Sequence, residues 1–202
     1  MNLIDSLIKE NWLKTPRIIR AFRKIKREDF MPDDIRALAE INEAMPIGYS
    51  QTISQPLTVA FMMEQLQPEI GNKILDIGSG SGWTTALLSE ITGRKGRVVA
   101  IEIISELKKF GEKNVSKYGF TRKGIAKFIK TNGSLGYKKE APYDRILASA
   151  SASKIPQAWK SQLKIGGRIV APIRESIWVL EKKSEKKFKT TKYPGFIFVP
   201  LV

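Results

Sequence analysis

Residues 75–83 read LDIGSGSGW, and no other stretch constrains the fold as tightly. The apolar segment Lys73–Ile77 (KILDI) has the length of a buried strand, glycines follow at alternate positions, and residues 84–91 have helical character. Gly78, Gly80 and Gly82 allow a sharp turn and a close approach of main chain to a ligand, and free amides at a helix start attract electronegative groups. The pattern then repeats. Arg97–Glu102 (RVVAIE) predicts a second strand, 106–118 a helix, 125–129 a third strand, 144–148 a fourth and 155–163 a helix. Gly166-Gly167 predicts a turn into a strand over 168–172. Strands alternating with helices of about ten residues predict an α/β, Rossmann-like, doubly wound and mostly parallel sheet.

The flanks differ in style. Thr15-Pro16 predicts a helix start, with threonine as N-cap and proline at the first helical position. Ile18, Phe22 and Ile25 then recur at helical spacing, with Arg17, Arg20, Arg23, Lys24 and Arg27 on the other faces. That is either a basic recognition helix or an amphipathic helix packed on the core, and the apolar stripe favours packing. A short helix is expected over 33–42, an ordered loop over 45–56 (MPIGYSQTISQP) and a helix over 57–66. At the other end, 176–180 and 196–201 predict two strands joined by the charged stretch EKKSEKKFKTTK on an exposed connection. One domain over 1–202 is expected, with 1–56 as an N-terminal helical extension and loop and 57–202 as the core and C-terminal strands.

The glycine loop also carries a chemical preference. A dinucleotide fingerprint is GxGxxG, whereas GxGxG preceded by Asp76 puts a carboxylate where a pyrophosphate would be repelled. S-adenosylmethionine, with an ammonium and a sulfonium, suits that neighbour better. Glu102 ends the next strand, 24 residues beyond Gly78, near the ~20-residue offset at which an acidic residue meets ribose hydroxyls. Asn132-Gly133 follows the third apolar segment, where an adenine edge would lie, and an asparagine carbonyl can accept from an adenine amino group. These spacings predict S-adenosylmethionine as cofactor, held by Asp76, Gly78, Ser79, Gly80, Gly82, Glu102, Asn132 and Gly133.

Two absences narrow the chemistry. The chain has no cysteine and no histidine, which excludes disulfides, thiol nucleophiles, Ser-His-Asp catalysis and the usual zinc sites; no metal is expected. No apolar run approaches the ~20 residues of a membrane span, and no signal-peptide core is present, so a soluble, cytoplasmic monomer is the expectation. The net charge of +15 is uneven: residues 1–103 hold 13 basic and 13 acidic side chains, and residues 104–202 hold 22 and 7. Such a basic half suits weak nucleic-acid binding, or simply a solvated lysine-rich surface.

Together these residues resemble the protein-L-isoaspartate O-methyltransferase family, nearly end to end from Arg27 to Leu201. MPIGYSQTISQP is similar to that family's substrate loop, and REDFMP, LDIGSGSGW, VVAIEII, NGSLGY-KKEAPYD, SQLKIGGRIVAPI and FVPL follow in its order. The resemblance implies a methyltransferase fold and methylation of L-isoaspartyl residues in damaged proteins or peptides. By match it implies Ser54 as the active-site serine, with Thr52 and Ile53 beside it lining cofactor and substrate. It assigns the methionine moiety to the glycine loop, the ribose to Glu102, the adenine to Asn132-Gly133 and the substrate backbone to residues 148–152, ASASA. The family usually has aspartate where this chain has Asn132.

That reaction needs no histidine. A carboxylate, with a reference pKa near ~4, is ionised at neutral pH and attacks a sulfonium methyl without a general base. Ser54 is therefore expected to hold the acceptor carboxylate by a hydrogen bond rather than to act as a covalent nucleophile. The alternatives are a methyltransferase acting on RNA, DNA or one dedicated peptide, or a non-catalytic binding module.

Overall fold

The computed structural model describes residues 2–201. Two helices open the chain, α1 (Leu3–Lys9) and α2 (Pro16–Lys24). On α2 the apolar stripe faces inward: Ile18, Ala21 and Phe22 are buried, each large side chain contributing about 1.5–3 kcal/mol. Three of its four basic residues are engaged within the chain, and Arg20 is exposed. Arg17 donates to Gln67 Oε1 and the Pro68 carbonyl, Arg23 pairs with Asp5, and Lys24 pairs with Glu90. The packed amphipathic helix is thus the arrangement observed. Thr15 does hold the N-cap position, but its hydroxyl donates to Glu64 Oε2 at 2.6 Å instead of capping α2.

Two 3-10 turns follow, at Arg27–Phe30 and Asp33–Leu38, the second being shorter and tighter than the helix expected over 33–42. The segment read as a loop over 45–56 contains a small antiparallel hairpin, β1 (Met45–Gly48) and β2 (Gln51–Ile53). Tyr49 and Ser50 both have φ of +55°, the pair of positive angles a type I′ turn requires, and Met45, Ile47 and Ile53 point into the core. Helix α3 (Pro56–Leu66) then leads into the main sheet.

That sheet contains β3 (Lys73–Ile77), β4 (Arg97–Glu102), β5 (Ala126–Lys130), β6 (Tyr143–Ala148), β7 (Leu163–Ile173), β8 (Ser176–Lys182) and β9 (Phe188–Pro194), in the order β5-β4-β3-β6-β7-β8-β9. The first five run parallel, and β7, β8 and β9 form an antiparallel meander. Ile74, Val98, Ala100, Leu147 and Val170 pack on one face with α2, α3, α4 (Trp83–Thr92) and α5 (Ser105–Ser116). Leu75, Ile77, Val99, Ile101 and Ile146 pack on the other with Trp159 of α6 (Gln157–Gln162). Burial on both faces explains why these strands read as unbroken apolar runs.

Two expectations fail at the C-terminal end. Gly166-Gly167 is no turn between elements: it lies inside β7, where the register shifts against β6 and Gly166 takes φ of +80°. Residues 196–201 are no sheet strand either. The charged stretch itself supplies β9, whose Thr190, Thr191 and Tyr193 suit extended backbone and whose Lys189 and Lys192 keep the exposed sheet edge charged. Gly195, at φ +92°, turns the chain off the sheet, and 196–201 run back over the strand ends. They are held there by Ser151 N–H to the Val199 carbonyl at 2.7 Å and Leu201 N–H to the Ser151 carbonyl at 2.8 Å.

Candidate active site

The chain winds from β3 outward through β4 to β5, then crosses back to β6 on the other side of β3. Such a reversal leaves a crevice beyond the C-terminal ends of the strands, where open α/β sheets bind ligands. A cavity of about 660 Å³ lies there, walled by the segments after β3, β4 and β6, by the β2 end, and by residues 197–201. Its size suits a ligand of the nucleoside class.

The glycine loop forms one wall. Gly78 and Ser79 donate their amides to the Ile101 carbonyl, and Gly82 N–H donates to the Ser79 carbonyl at 2.8 Å. Gly78, Ser79, Gly80 and Ser81 line the cavity; Gly82 does not. Gly82 is required for packing instead: a Cβ on it would lie 2.7 Å from the Gly111 carbonyl oxygen, and one on Gly111 would lie 2.6 Å from the Gly80 oxygen. Helix α5 therefore presses its glycine directly against the loop, and the buried Asn114 adds a bond from Nδ2 to the Ser81 carbonyl. The sequence signal for Gly111 was a glycine inside an otherwise helical run.

Glu102 organises the second wall. Its Oε2 accepts from Gly80 N–H at 2.9 Å, and its Oε1 from Ile103 and Ile104 N–H at 2.9 and 3.1 Å. Oε2, with a single donor, keeps acceptor capacity, and Glu102 lines the cavity. Asp76 sits beneath the loop rather than on the wall, fully buried. Its Oδ2 accepts from Thr84 and Thr85 hydroxyls at 3.0 and 2.6 Å, and its Oδ1 has no partner. Burial, with a smaller contribution from the Glu102 charge, pushes this carboxyl up to about 6 against the two threonine hydrogen bonds.

The remaining predicted residues divide. Ile53, Thr52 and Ser54 line the cavity, as do Gly133, Ser149 and Ala150. Ser54 does not cap α3, whose N-cap is Gln55, with no side-chain bond to the helix's free amides. Asn132 is not brought to the wall: it is exposed, and its Oδ1 accepts from Ser134 N–H and hydroxyl at 2.8 and 2.7 Å. Gly133 is buried, its carbonyl accepting from Trp159 Nε1 at 2.8 Å. Within 148–152, the Ser151 N–H and carbonyl are paired with the chain's own Val199 and Leu201, while Ser149 and Ala150 line the cavity. Residues the sequence did not single out include Glu43, Trp83 and the wall 197–201.

The donor set fits a cationic ligand. The charged residues on the wall are Glu43 and Glu102, with no lysine or arginine among the described residues that line it. Ser79 and Trp83 also line it, and their Oγ and Nε1 are buried without partners. A pyrophosphate would meet no positive side chain; an ammonium, a sulfonium and ribose hydroxyls meet carboxylates. No group of three or more acidic or metal-ligating side chains is assembled among the described residues.

Comparison with known proteins agrees. The profile of the protein-L-isoaspartate(D-aspartate) O-methyltransferase family matches residues 1–202. A protein-L-isoaspartate O-methyltransferase of Methanopyrus kandleri is 37% identical over 204 residues, covering 99% of this chain and 89% of the relative. Protein-L-isoaspartate O-methyltransferase 1 of Archaeoglobus fulgidus is 39% identical over 188 residues, covering 92% and 85%. A Plasmodium falciparum crystal structure assigned to the same activity, in complex with S-adenosyl-L-homocysteine, superposes with a TM-score of 0.90 over 100% of this chain and 99% of that one. At 21% identity that likeness shows the fold.

Proposed function

The chain belongs to the protein-L-isoaspartate(D-aspartate) O-methyltransferase family, and on that premise we infer that it methylates the carboxylate of L-isoaspartyl residues in damaged proteins, with S-adenosylmethionine as cofactor. The observation that carries this is one cavity lined both by the glycine loop with Glu102 and by Thr52, Ile53 and Ser54, with no lysine or arginine among the described residues on its wall. When bound, S-adenosylmethionine supplies the methyl group from its sulfonium.

The chain's own residues position and desolvate. Gly78, Ser79 and Gly80 hold the methionine moiety, with Gly82 keeping the loop against α5; Glu102 holds the ribose, and Gly133 the adenine side. Asn132 supports that end by capping the turn that carries Gly133. Ile53 packs beside the cofactor, Thr52 beside the acceptor, and Ser54 donates its hydroxyl to the acceptor carboxylate, aiming one oxygen along the line of displacement. Orientation and exclusion of water can account for roughly 7–11 kcal/mol of barrier lowering, with no proton to move. The neighbouring main-chain nitrogen then displaces methanol from the ester to close a succinimide, which water reopens partly as normal aspartate.

Asp76 acts from beneath the wall through its charge, which favours a cationic ligand only when ionised. With its carboxyl at about 6, affinity for S-adenosylmethionine is expected to be flat above that pH and to fall below it. The limit is about tenfold per pH unit between about pH 6 and about pH 5. Calorimetry across that range reads it, and Asp76→Asn should flatten the profile; a wild-type profile already flat would remove the carboxyl from cofactor binding.

We further propose that residues 1–202 work as one domain, with 1–56 as helical extension and acceptor hairpin and 57–202 as cofactor core, monomeric and cytoplasmic. No helix among the described residues is long and apolar enough to cross a membrane. Part of the basic half is already paired, with Lys164 on Asp144, Lys183 on Glu181, and Lys192 over Trp178 at 4.1 Å. Nucleic-acid binding is accordingly taken as weak and salt-sensitive; RNA binding that persisted at high salt would contradict this.

Methyl transfer from labelled S-adenosylmethionine to paired peptides, identical except for isoaspartate against aspartate, tests the whole reading. Base-labile label on the isoaspartyl peptide alone is the expected result. Equal labelling of both peptides, or of neither, would reject the assignment.

A further inference from the structure

A buried cation with no ion-pair partner among the described residues stands behind the acceptor wall. Arg27, 7% exposed, belongs to the 3-10 turn Arg27–Phe30. Its Nη1 donates to the carbonyls of Ala39 and Ile41 at 3.1 and 3.0 Å, and its Nη2 to those of Glu43 and Ser54 at 2.7 and 3.3 Å. The guanidinium carbon lies 5.6 Å from the centroid of the Trp83 ring. Burial lowers its pKa to about 10, which still leaves it charged at neutral pH.

Burying a charge is costly, and main-chain carbonyls are weaker compensation than a carboxylate. What the arrangement achieves is geometric. The four carbonyls come from the end of the second 3-10 turn, from the entry to β1 and from the exit of β2, so one planar group holds both ends of the β1–β2 hairpin. The same group rests on Trp83, which follows the glycine loop. Glu43, Ser54 and Trp83, three of the residues it touches, are all on the cavity wall. Asn42 closes the ring, its carbonyl accepting from Gln55 Nε2 and its Oδ1 from Leu57 N–H, both at 2.9 Å.

We propose that Arg27 is a positioning residue for methyl transfer: it ties the Ser54 main chain to Trp83 and so fixes the distance between the acceptor hydroxyl and the cofactor loop. The proposal rests on the reading of Ser54 as the acceptor's hydrogen-bond donor. Lysine cannot replace it, because an ammonium is a point charge with three donors and no planar fork to span four carbonyls and lie on an indole.

The test is a cycle of Arg27→Lys, Ser54→Ala and the double variant, assayed for kcat and KM on an isoaspartyl peptide and for S-adenosylhomocysteine affinity by calorimetry. Arg27→Lys is expected to lower kcat at least ~tenfold, since a ~1 Å misplacement can cost ~100-fold, while cofactor affinity moves less than ~threefold. In the Ser54→Ala background the same substitution should cost less than ~twofold, because the group it positions is gone. A loss that multiplies in full onto Ser54→Ala, or an unchanged kcat, overturns the proposal. Full activity of Ser54→Ala alone overturns instead the reading of Ser54, a separate outcome. If Arg27→Lys does not fold, Arg27→Gln, which keeps two N–H donors and buries no charge, carries the same cycle.

Discussion

Replacing Ser54 with alanine is expected to lower kcat/KM for an isoaspartyl peptide about tenfold to about hundredfold, the range that follows from losing one hydrogen bond to a charged group at ~1.5–3 kcal/mol. The loss should fall on kcat as well as KM, because a hydroxyl that aims one carboxylate oxygen acts more strongly on the transition state than on the bound acceptor. Affinity for S-adenosylhomocysteine should stay within about twofold, since the substitution leaves Gly78, Ser79, Gly80, Glu102 and Gly133, the residues assigned to the cofactor's methionine, ribose and adenine parts, unchanged. Thermal stability should not move, because Ser54 caps no helix. No histidine exists in the chain to activate the hydroxyl, so no ester on Ser54 should accumulate during turnover. Steady-state kinetics with calorimetry measure all of this. Unchanged kcat/KM would leave the acceptor carboxylate without its assigned partner.

The core was legible because its physics is local. Lys73–Ile77 and Arg97–Glu102 end where their apolar runs end, since a strand covered on both faces needs an unbroken apolar segment and the loop beyond it does not. The β1–β2 hairpin was not legible, because its turn uses Tyr49-Ser50 where the readable signal would be an asparagine or glycine pair. At the C-terminus the apolar run FIFVPL looked more like a strand than the lysine-rich KFKTTKYP did. The sheet edge reversed that preference: an outer strand tolerates charge, while the apolar run covers the cavity.

Within the site, spacing along the chain located the strand ends but not the direction of side chains. Gly78, Ser79, Gly80, Glu102 and Gly133 share one wall with Ile53, Thr52 and Ser54. Asp76 is beneath that wall, Gly82 faces α5, and Asn132 turns outward to Ser134, three placements that depend on rotamer and packing. Arg27 was hidden by its neighbours: one arginine among Arg17, Arg20, Arg23 and Lys24 carries no sign in sequence that it alone is buried.

Glu102→Ala is expected to abolish useful cofactor binding, weakening S-adenosylhomocysteine affinity by more than about hundredfold. Two effects combine. The ribose loses its acceptor, and the amides of Gly80, Ile103 and Ile104 lose theirs, each unsatisfied donor costing about 1–3 kcal/mol where water cannot reach it. Because Gly80 is itself part of the cradle, freeing its amide loosens the wall that faces the cofactor, so melting temperature should fall together with affinity. Glu102→Gln separates the two effects. A glutamine keeps one acceptor oxygen, enough for one side of the amide set, and turns a donor toward the other, so its stability should lie between those of wild type and Glu102→Ala. Calorimetry and thermal unfolding on the three proteins measure this. If Glu102→Ala lowered the melting temperature but bound S-adenosylhomocysteine as wild type does, the carboxylate would be a support for the loop alone, and the ribose would need another partner on the wall.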